Sequence, residues 1–133
     1  MNIVKFGNRI EYRNDLGHLH RIDGPAVEYT NGGKFWYQNN QLHRLDGHAA
    51  EYVNGTKIWF QNNQLHRLDG PAIEYPNGDK FWFQNGQLHR LDGPAVELFD
   101  GDPEYYIYGR NYTELEYKFF SQAILGNIVI DEF

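Results

Sequence analysis

The residues with the most evident chemical capacity in this chain are four clusters of histidine, arginine and aspartate. His20-Arg21-Ile22-Asp23-Gly24, His43-Arg44-Leu45-Asp46-Gly47, His66-Arg67-Leu68-Asp69-Gly70 and His89-Arg90-Leu91-Asp92-Gly93 follow one another at a spacing of 23 residues. A histidine beside a carboxylate can move a proton or ligate a metal, and an arginine beside them can hold an anion. Catalysis, however, asks for one asymmetric constellation with nucleophile, base and orienting group in distinct places, and four equal copies do not supply it. No Gly-x-Ser-x-Gly turn and no glycine-rich phosphate loop with lysine accompanies the clusters, and Ser121 is the only serine. With no cysteine there is no thiol nucleophile, thiolate site or disulfide. Equivalent histidines one hairpin apart stand ~10 Å from each other, beyond shared ligation at ~2 Å. The clusters are therefore expected to be structural, with no catalytic residue, metal or cofactor. In that reading the aspartate accepts turn amides, the histidine sits between repeats and the arginine covers a neighbouring strand.

The elements that position these clusters repeat with the same period. Asn31-Gly32, Asn54-Gly55 and Asn77-Gly78 recur in register and relax to Asp100-Gly101; Trp36, Trp59 and Trp82 form a column continued by Tyr105; Tyr29, Tyr52 and Tyr75 form another. Projected backwards, Val4-Lys5-Phe6 and Asn8 align with Val27-Glu28-Tyr29 and Asn31. The chain is thus a mainly β, elongated array of about five tandem antiparallel hairpin repeats over residues 1–111, divergent at both ends where terminal units must face water. Each unit reads as strand, Asn-Gly turn, strand, a second turn at Asn39-Asn40, a short extended piece at Leu42-His43-Arg44, and a reversal at Asp46-Gly47. Pro25, Pro71 and Pro94 follow the Asp-Gly reversals, with His48 in that place in the second unit.

A two-residue Asn-Gly loop would place Val27, Tyr29, Lys34 and Trp36 on one face and Ala26, Glu28, Phe35 and Tyr37 on the other. Ten strands so arranged would extend roughly 50 Å. Residues 112–133 change character: Thr113-Glu114-Leu115-Glu116 is a capping-box pattern, followed by apolar residues at helical spacing and Gly126 as a stop. A short helix over 114–125 capping the last repeat is predicted, with a further strand, or a partner-contacting apolar tail, from Asn127 to Phe133.

The run Lys34-Phe35-Trp36-Tyr37-Gln38-Asn39-Asn40-Gln41-Leu42-His43-Arg44-Leu45-Asp46-Gly47 resembles a MORN repeat variant, a family whose unit is also about 23 residues long. That family's Asn-Gly after the tryptophan survives here only as Asn85-Gly86, and its His-Gly is expanded to His-Arg-x-Asp-Gly. The form with His-Arg-x-Asp-Gly-Pro-Ala, closed by a segment like Tyr112 to Glu116, is similar to proteins of bacteriophage genomes. The resemblance implies a MORN-like fold and a small accessory protein acting inside an infected bacterium.

Net charge −6 disfavours direct nucleic-acid or membrane-surface binding and favours a basic partner. The N-terminus lacks a signal-peptide core and no apolar run reaches the ~18 residues needed to span a bilayer, so a soluble, cytoplasmic location is expected. The leading expectation is a non-enzymatic protein–protein interaction module, of phage type by resemblance, that occludes a host enzyme or antiviral defence complex in the manner of an anti-CRISPR protein. Its partner would be a host protein with a basic surface. Glu28, Glu51, Glu74 and Glu97 would meet that surface, and Phe35, Tyr37, Phe60, Phe81 and Phe83 would add exposed aromatic area. Two alternatives remain open. One is a sponge for a small anionic ligand, a nucleotide second messenger, held by Arg21, Arg44, Arg67 and Arg90 with Trp36, Trp59 and Trp82. The other is a structural protein that forms homo-oligomers through open sheet edges.

Overall fold

The computed structural model describes residues 1–126, and two kinds of turn set its architecture. The opening hairpin joins β1 (Asn2–Lys5) to β2 (Arg9–Arg13). The next unit contributes β3 (Val27–Tyr29), β4 (Lys34–Phe35), β5 (Tyr37–Gln38) and β6 (Gln41–Leu42). The two after it repeat this plan with β7 (Ala50–Glu51), β8 (Lys57–Ile58), β9 (Phe60–Gln61) and β10 (Gln64–Leu65), then β11 (Ile73–Glu74), β12 (Lys80–Phe81), β13 (Phe83–Gln84) and β14 (Gln87–Leu88). The last unit holds β15 (Val96–Glu97), β16 (Tyr105–Ile107) and β17 (Arg110–Tyr112), and α1 (Glu114–Ile124) closes the array. The fold is mainly β, a tandem series of antiparallel hairpins with one C-terminal helix. No helix among the described residues is long and apolar enough to cross a membrane.

The strands divide into two rows. A nine-stranded antiparallel sheet runs β1-β2-β3-β4-β7-β8-β11-β12-β15, about 40 Å at the usual strand spacing. The second row is made of the small hairpins β5–β6, β9–β10, β13–β14 and β16–β17. True two-residue turns lie in this second row. Asn39 and Asn40 (φ 48° and 64°), Asn62 and Asn63 (φ 49° and 65°), Asn85 and Gly86 (φ 50° and 78°), and Tyr108 and Gly109 (φ 47° and 81°) all occupy left-handed backbone. Two successive positive φ angles are the signature of the hairpin turn whose twist matches that of its strands.

At the Asn-Gly sites the loop is longer than the sequence suggests, and this changes the faces. Tyr29 N–H donates to Gly33 O, and Val27 pairs with Phe35 and Glu28 with Lys34, so Thr30, Asn31 and Gly32 form a three-residue loop. Only Gly32 takes positive φ there, while the Asn31 side chain accepts from Gly33 N–H. The strand slips by one residue against a two-residue loop, which moves Phe35 to the face of Val27 and Lys34 to that of Glu28. One face therefore carries Val27, Phe35, Ala50, Ile58, Ile73, Phe81 and Val96 in succession. The other carries a row that alternates in charge: Glu28, Lys34, Glu51, Lys57, Glu74, Lys80, Glu97. Opposite charges directly across antiparallel strands are favourable neighbours.

The core is thin. Ala26, Ala49, Ala72 and Ala95 are wholly buried, and no large side chain among the described residues is. Each of these alanines accepts on its carbonyl from an aromatic neighbour, Tyr12 N–H to Ala26 and Trp36, Trp59 and Trp82 N–H to Ala49, Ala72 and Ala95. At 0% exposure these positions leave a side chain larger than methyl no open solvent to enter. In α1, Thr113 accepts from Glu116 N–H while the Glu116 carboxylate accepts from Thr113 N–H, the reciprocal cap expected from the sequence. Gly126, with φ 81°, lies just past its end. The tail expected to add a strand from Asn127 onward lies outside the described residues.

Because Asn62 sits at φ 49°, Asn62→Gly leaves unfolding free energy within about 0.5 kcal/mol, whereas Asn62→Val lowers it by about 1–2 kcal/mol. Urea denaturation of the two variants checks the difference.

Candidate functional site

Each His-Arg-x-Asp-Gly turn gives every one of its residues a separate task. The histidine is a latch to the next repeat. Nδ1 of His20, His43, His66 and His89 accepts the backbone N–H of Asn39, Asn62, Asn85 and Tyr108, at 2.9–3.1 Å. An accepting Nδ1 places the ring proton on Nε2. The latched amide belongs to the first left-handed residue of the next turn, so latch and turn geometry support one another.

The arginine is a keystone. The guanidinium of Arg21 lies 4.0 Å from the ring centre of Tyr12, and Arg44, Arg67 and Arg90 lie 4.2, 4.1 and 4.0 Å from Trp36, Trp59 and Trp82. Nε donates to the aspartate two residues on, at 2.9–3.1 Å, and Nη1 donates to the carbonyl four residues on. On the other side of the plane sits the turn glycine: a Cβ on Gly24, Gly47, Gly70 or Gly93 would lie 2.8–2.9 Å from the arginine Cζ. The glycine is thus required by close approach, and the planar ion is held between an aromatic face and backbone. The aspartates accept from this arginine, where the sequence suggested turn amides, and their side chains remain 80–88% exposed. The hydrogen bond and positive charge of Arg67 hold Asp69 below the usual carboxylate range.

These bonds decide what the sequence-selected residues are free to do. Arg21, Arg44, Arg67 and Arg90 have Nε and Nη1 engaged and one face stacked, which leaves mainly Nη2 for an incoming phosphate. Trp36, Trp59 and Trp82 are half-buried under them. Glu28, Glu74 and Glu97 lie 3.6, 3.7 and 2.7 Å from Arg21, Arg67 and Arg90, and Glu51 lies 3.4 Å from His48 Nε2. With lysines interleaved between them, these glutamates do not form a free acidic strip. Phe35, Tyr37, Phe60, Phe81 and Phe83 are all half-buried. The exposed aromatics of that side are Tyr29, Tyr52 and Tyr75, set edge-on against Phe35 and Phe81.

What stands free is the residue between arginine and aspartate. Ile22, Leu45 and Leu68 are 82, 69 and 74% exposed, each beside an exposed aspartate, on turns held rigidly by the keystone. A large aliphatic side chain in the middle of a polar turn is the sequence signal for this row. Two open grooves flank it. One of about 540 Å³ is lined by Arg21 to Pro25, Trp36, Gln38 and His43 to Asp46. One of about 640 Å³ is lined two repeats on by Leu68 to Pro71, Trp82, Gln84 and His89 to Asp92, with Tyr108 and Leu125. Among the described residues no group of three or more His, Cys, Asp or Glu side chains is placed to hold a metal ion.

The corresponding place beyond the fourth turn is filled by α1. The Tyr117 hydroxyl donates to Arg90 O at 2.7 Å and accepts from Gly93 N–H at 3.0 Å, and its ring lies 4.7 Å from that of Tyr105. Phe120, one turn along the helix, meets Tyr112 at 5.5 Å. Burial pushes the Tyr117 hydroxyl above the ordinary phenol range, so it remains a donor. At the opposite end Glu11 is buried between Arg9 and Arg13 at 2.8 and 2.7 Å. Burial alone would raise its pKa, but the two arginines outweigh that and hold it below the usual carboxylate range.

No family model, curated protein or solved structure matches the chain.

Two outcomes follow from this geometry. Gly70→Ala drives the Arg67 guanidinium off Trp59 and costs about 1–3 kcal/mol, and in an Arg67→Ala background the same change costs much less, a coupling read from urea unfolding of the double-mutant cycle. His89 is buried, and burial holds its pKa below the ordinary histidine value. The unfolded chain then binds the proton more readily. Its stability contribution is full above about pH 6.5 and is lost as pH falls from there towards the depressed native pKa. The urea midpoint of the protein should fall through that window, and His89→Asn, which keeps an acceptor, should flatten that part of the slope.

Proposed function

We propose that the chain is a non-enzymatic protein–protein interaction module whose contact surface is the row of His-Arg-x-Asp-Gly turns. Following its resemblance to bacteriophage repeat proteins, its role is to occlude a host enzyme or defence complex. The observation that carries this reading is the repeated pair of an exposed aliphatic side chain and an exposed aspartate on a rigid turn, at Ile22-Asp23, Leu45-Asp46 and Leu68-Asp69. Exposed apolar side chains cost the free protein solubility and give binding energy only when a partner covers them. Carboxylates around them favour a basic surface and speed its approach. The four turns belong to equivalent repeats, so the contact is periodic and fits an extended surface better than a small ligand. The engaged arginines weigh against a nucleotide sponge, whose phosphates would have to displace bonds the fold relies on.

Affinity capture of the tagged protein from bacterial lysate checks the reading. A stoichiometric partner is expected, and Leu45→Arg with Leu68→Arg abolishes its capture while shifting the thermal midpoint little, because both side chains are exposed. Glu51→Arg with Glu74→Arg is expected to weaken capture less. Retention of the partner by the leucine double variant would overturn this surface.

A further inference from the structure

The nine-stranded sheet has two ends, and the chain treats them differently. At the C-terminal end Val96 N–H donates to Glu104 O at 3.2 Å and Glu104 N–H to Val96 O at 3.1 Å, so the run Pro103-Glu104 covers β15. Glu104 thus turns both backbone groups inward, and alternation along a strand turns those of Pro103 outward. One repeat earlier that place belongs to Lys80, which pairs with Glu97 of the next strand. Proline has no N–H to offer a further strand, and α1 packs against β16 and β17 beyond it. The C-terminal end is closed.

The N-terminal end is open. Phe6 N–H donates to Arg9 O, so Phe6 and, by alternation, Val4 and Asn2 turn their backbone groups towards β2. Tyr12 N–H donates the other way, to Ala26 O, which fixes the same phase from β2. Ile3 and Lys5 therefore hold two N–H and two C=O groups outward, along an edge with no strand beside it among the described residues. The side chains are uncovered too. All four residues of β1 are exposed, and Met1, Ile3, Val4 and Phe6 are 70, 53, 36 and 45% exposed. An apolar edge without proline or bulge is a template for another strand, and Lys5 is its one charged residue.

We propose that the β1 edge is a dimerisation surface whose occupant is β1 of a second copy of this chain, antiparallel about a two-fold axis at Val4. The closed C-terminal end selects this form of association: like edges pair once and stop, giving a dimer rather than a fibre. The edge is also complementary to itself. About Val4, the outward groups of Ile3 in each copy exchange both bonds with Lys5 of the other, so all of them are answered. Val4 meets Val4 across the axis, and Phe6 lies opposite Asn2 of the other copy. Lys5 sets the register, since sliding two residues one way places it against itself, while sliding the other way places Val4 against Asn2. A four-residue strand is short against the roughly 1,200–2,000 Å² of a standard interface, so the dimer is a weak one. The inference is independent of the interaction reading above, whose Leu45 and Leu68 lie in later repeats.

Sedimentation equilibrium of the full chain from micromolar to millimolar concentration, with amide hydrogen exchange over the same range, tests it. The mass should rise from 15.7 kDa towards twice that value, and exchange at Ile3 and Lys5 should slow in step. Ile3→Lys sets like charges opposite one another twice and should weaken dimerisation about tenfold. Adding Lys5→Glu makes both pairs opposite in charge and should restore it. Neither variant should move the thermal midpoint of the dilute chain much, because both side chains are exposed. A mass of 15.7 kDa at every concentration overturns the proposal. So does a dimer in which Ile3 and Lys5 exchange as fast as in the monomer, or one that the charge reversal fails to restore. Slowed exchange at these two amides only in a complex with a captured protein, the free chain staying monomeric, overturns it as well and makes that protein's strand the occupant.

Discussion

The guanidinium held between an indole ring and a glycine is the interaction on which the rest of this structure depends. A side chain that is charged at every accessible pH is placed where a hydrophobic core would ordinarily continue, and it tolerates that position because most of its directions are answered. One face meets the ring, the other meets backbone, and the edge meets a carboxylate and a carbonyl. Stacking of this kind contributes about 0.5–2 kcal/mol per pair, depending on how far water is excluded. A single such pair would hardly matter. Repeated at four turns, it adds up in a chain whose wholly buried side chains, among the described residues, are all alanine.

A thin core has consequences for how stability is distributed. Among the described residues the wholly buried side chains are all alanine, so each repeat is held chiefly by what it shares with its neighbours. The histidine latch, the arginine amide to the next hairpin's carbonyl, and the second turn amide to the preceding leucine carbonyl all cross from one unit to the next. Such an array behaves as a sum of unit and interface terms, and its ends are the weak points. Both ends are accordingly reinforced by contacts the middle lacks. Glu11 between two arginines braces the first unit, and α1 with Tyr117 seals the last. The terminal tyrosine at φ 47° shows the same economy: Tyr108 accepts an unfavourable backbone conformation and recovers part of it by stacking at 4.1 Å on His89.

Much of the architecture was legible in the sequence because a period is visible wherever side chains repeat. The hairpin array, the divergent ends and the capped helix at Thr113 follow from residue types alone. The faces were not legible, and one turn is the reason. Asn-Gly is the strongest two-residue hairpin signal, yet Asn31-Gly32, Asn54-Gly55 and Asn77-Gly78 sit in three-residue loops, while Asn39-Asn40 and Asn62-Asn63 make the tight turn that only Asn85-Gly86 makes with the expected pair. One residue of slip exchanged the partners across each of the three Asn-Gly loops, placed Lys34 opposite Glu28, and so turned an apparent acidic column into a nearly balanced row. The contact between Gly93 and Tyr117 spans 24 residues and depends on where a helix lands, which no spacing rule encodes.

The same distinction separates the residues that build the repeat from those left over to act. His, Arg, Asp and Gly are repeated because each is bonded within or between units, and repetition alone is therefore no sign of a site. The aspartate contributes twice, holding its arginine with one oxygen while presenting most of its surface to solvent. The aliphatic residue between them has no structural partner comparable to theirs, and still three of the four copies hold a large apolar group out into water. The fourth, Leu91, is only half-exposed, at the turn where α1 lies. Where the chain covers such a turn itself, the apolar group is partly withdrawn and the free turn amide is bonded. The uncovered turns present the same groups without their complement, and that unmet complementarity, rather than any unusual residue, is what singles out this edge of the array.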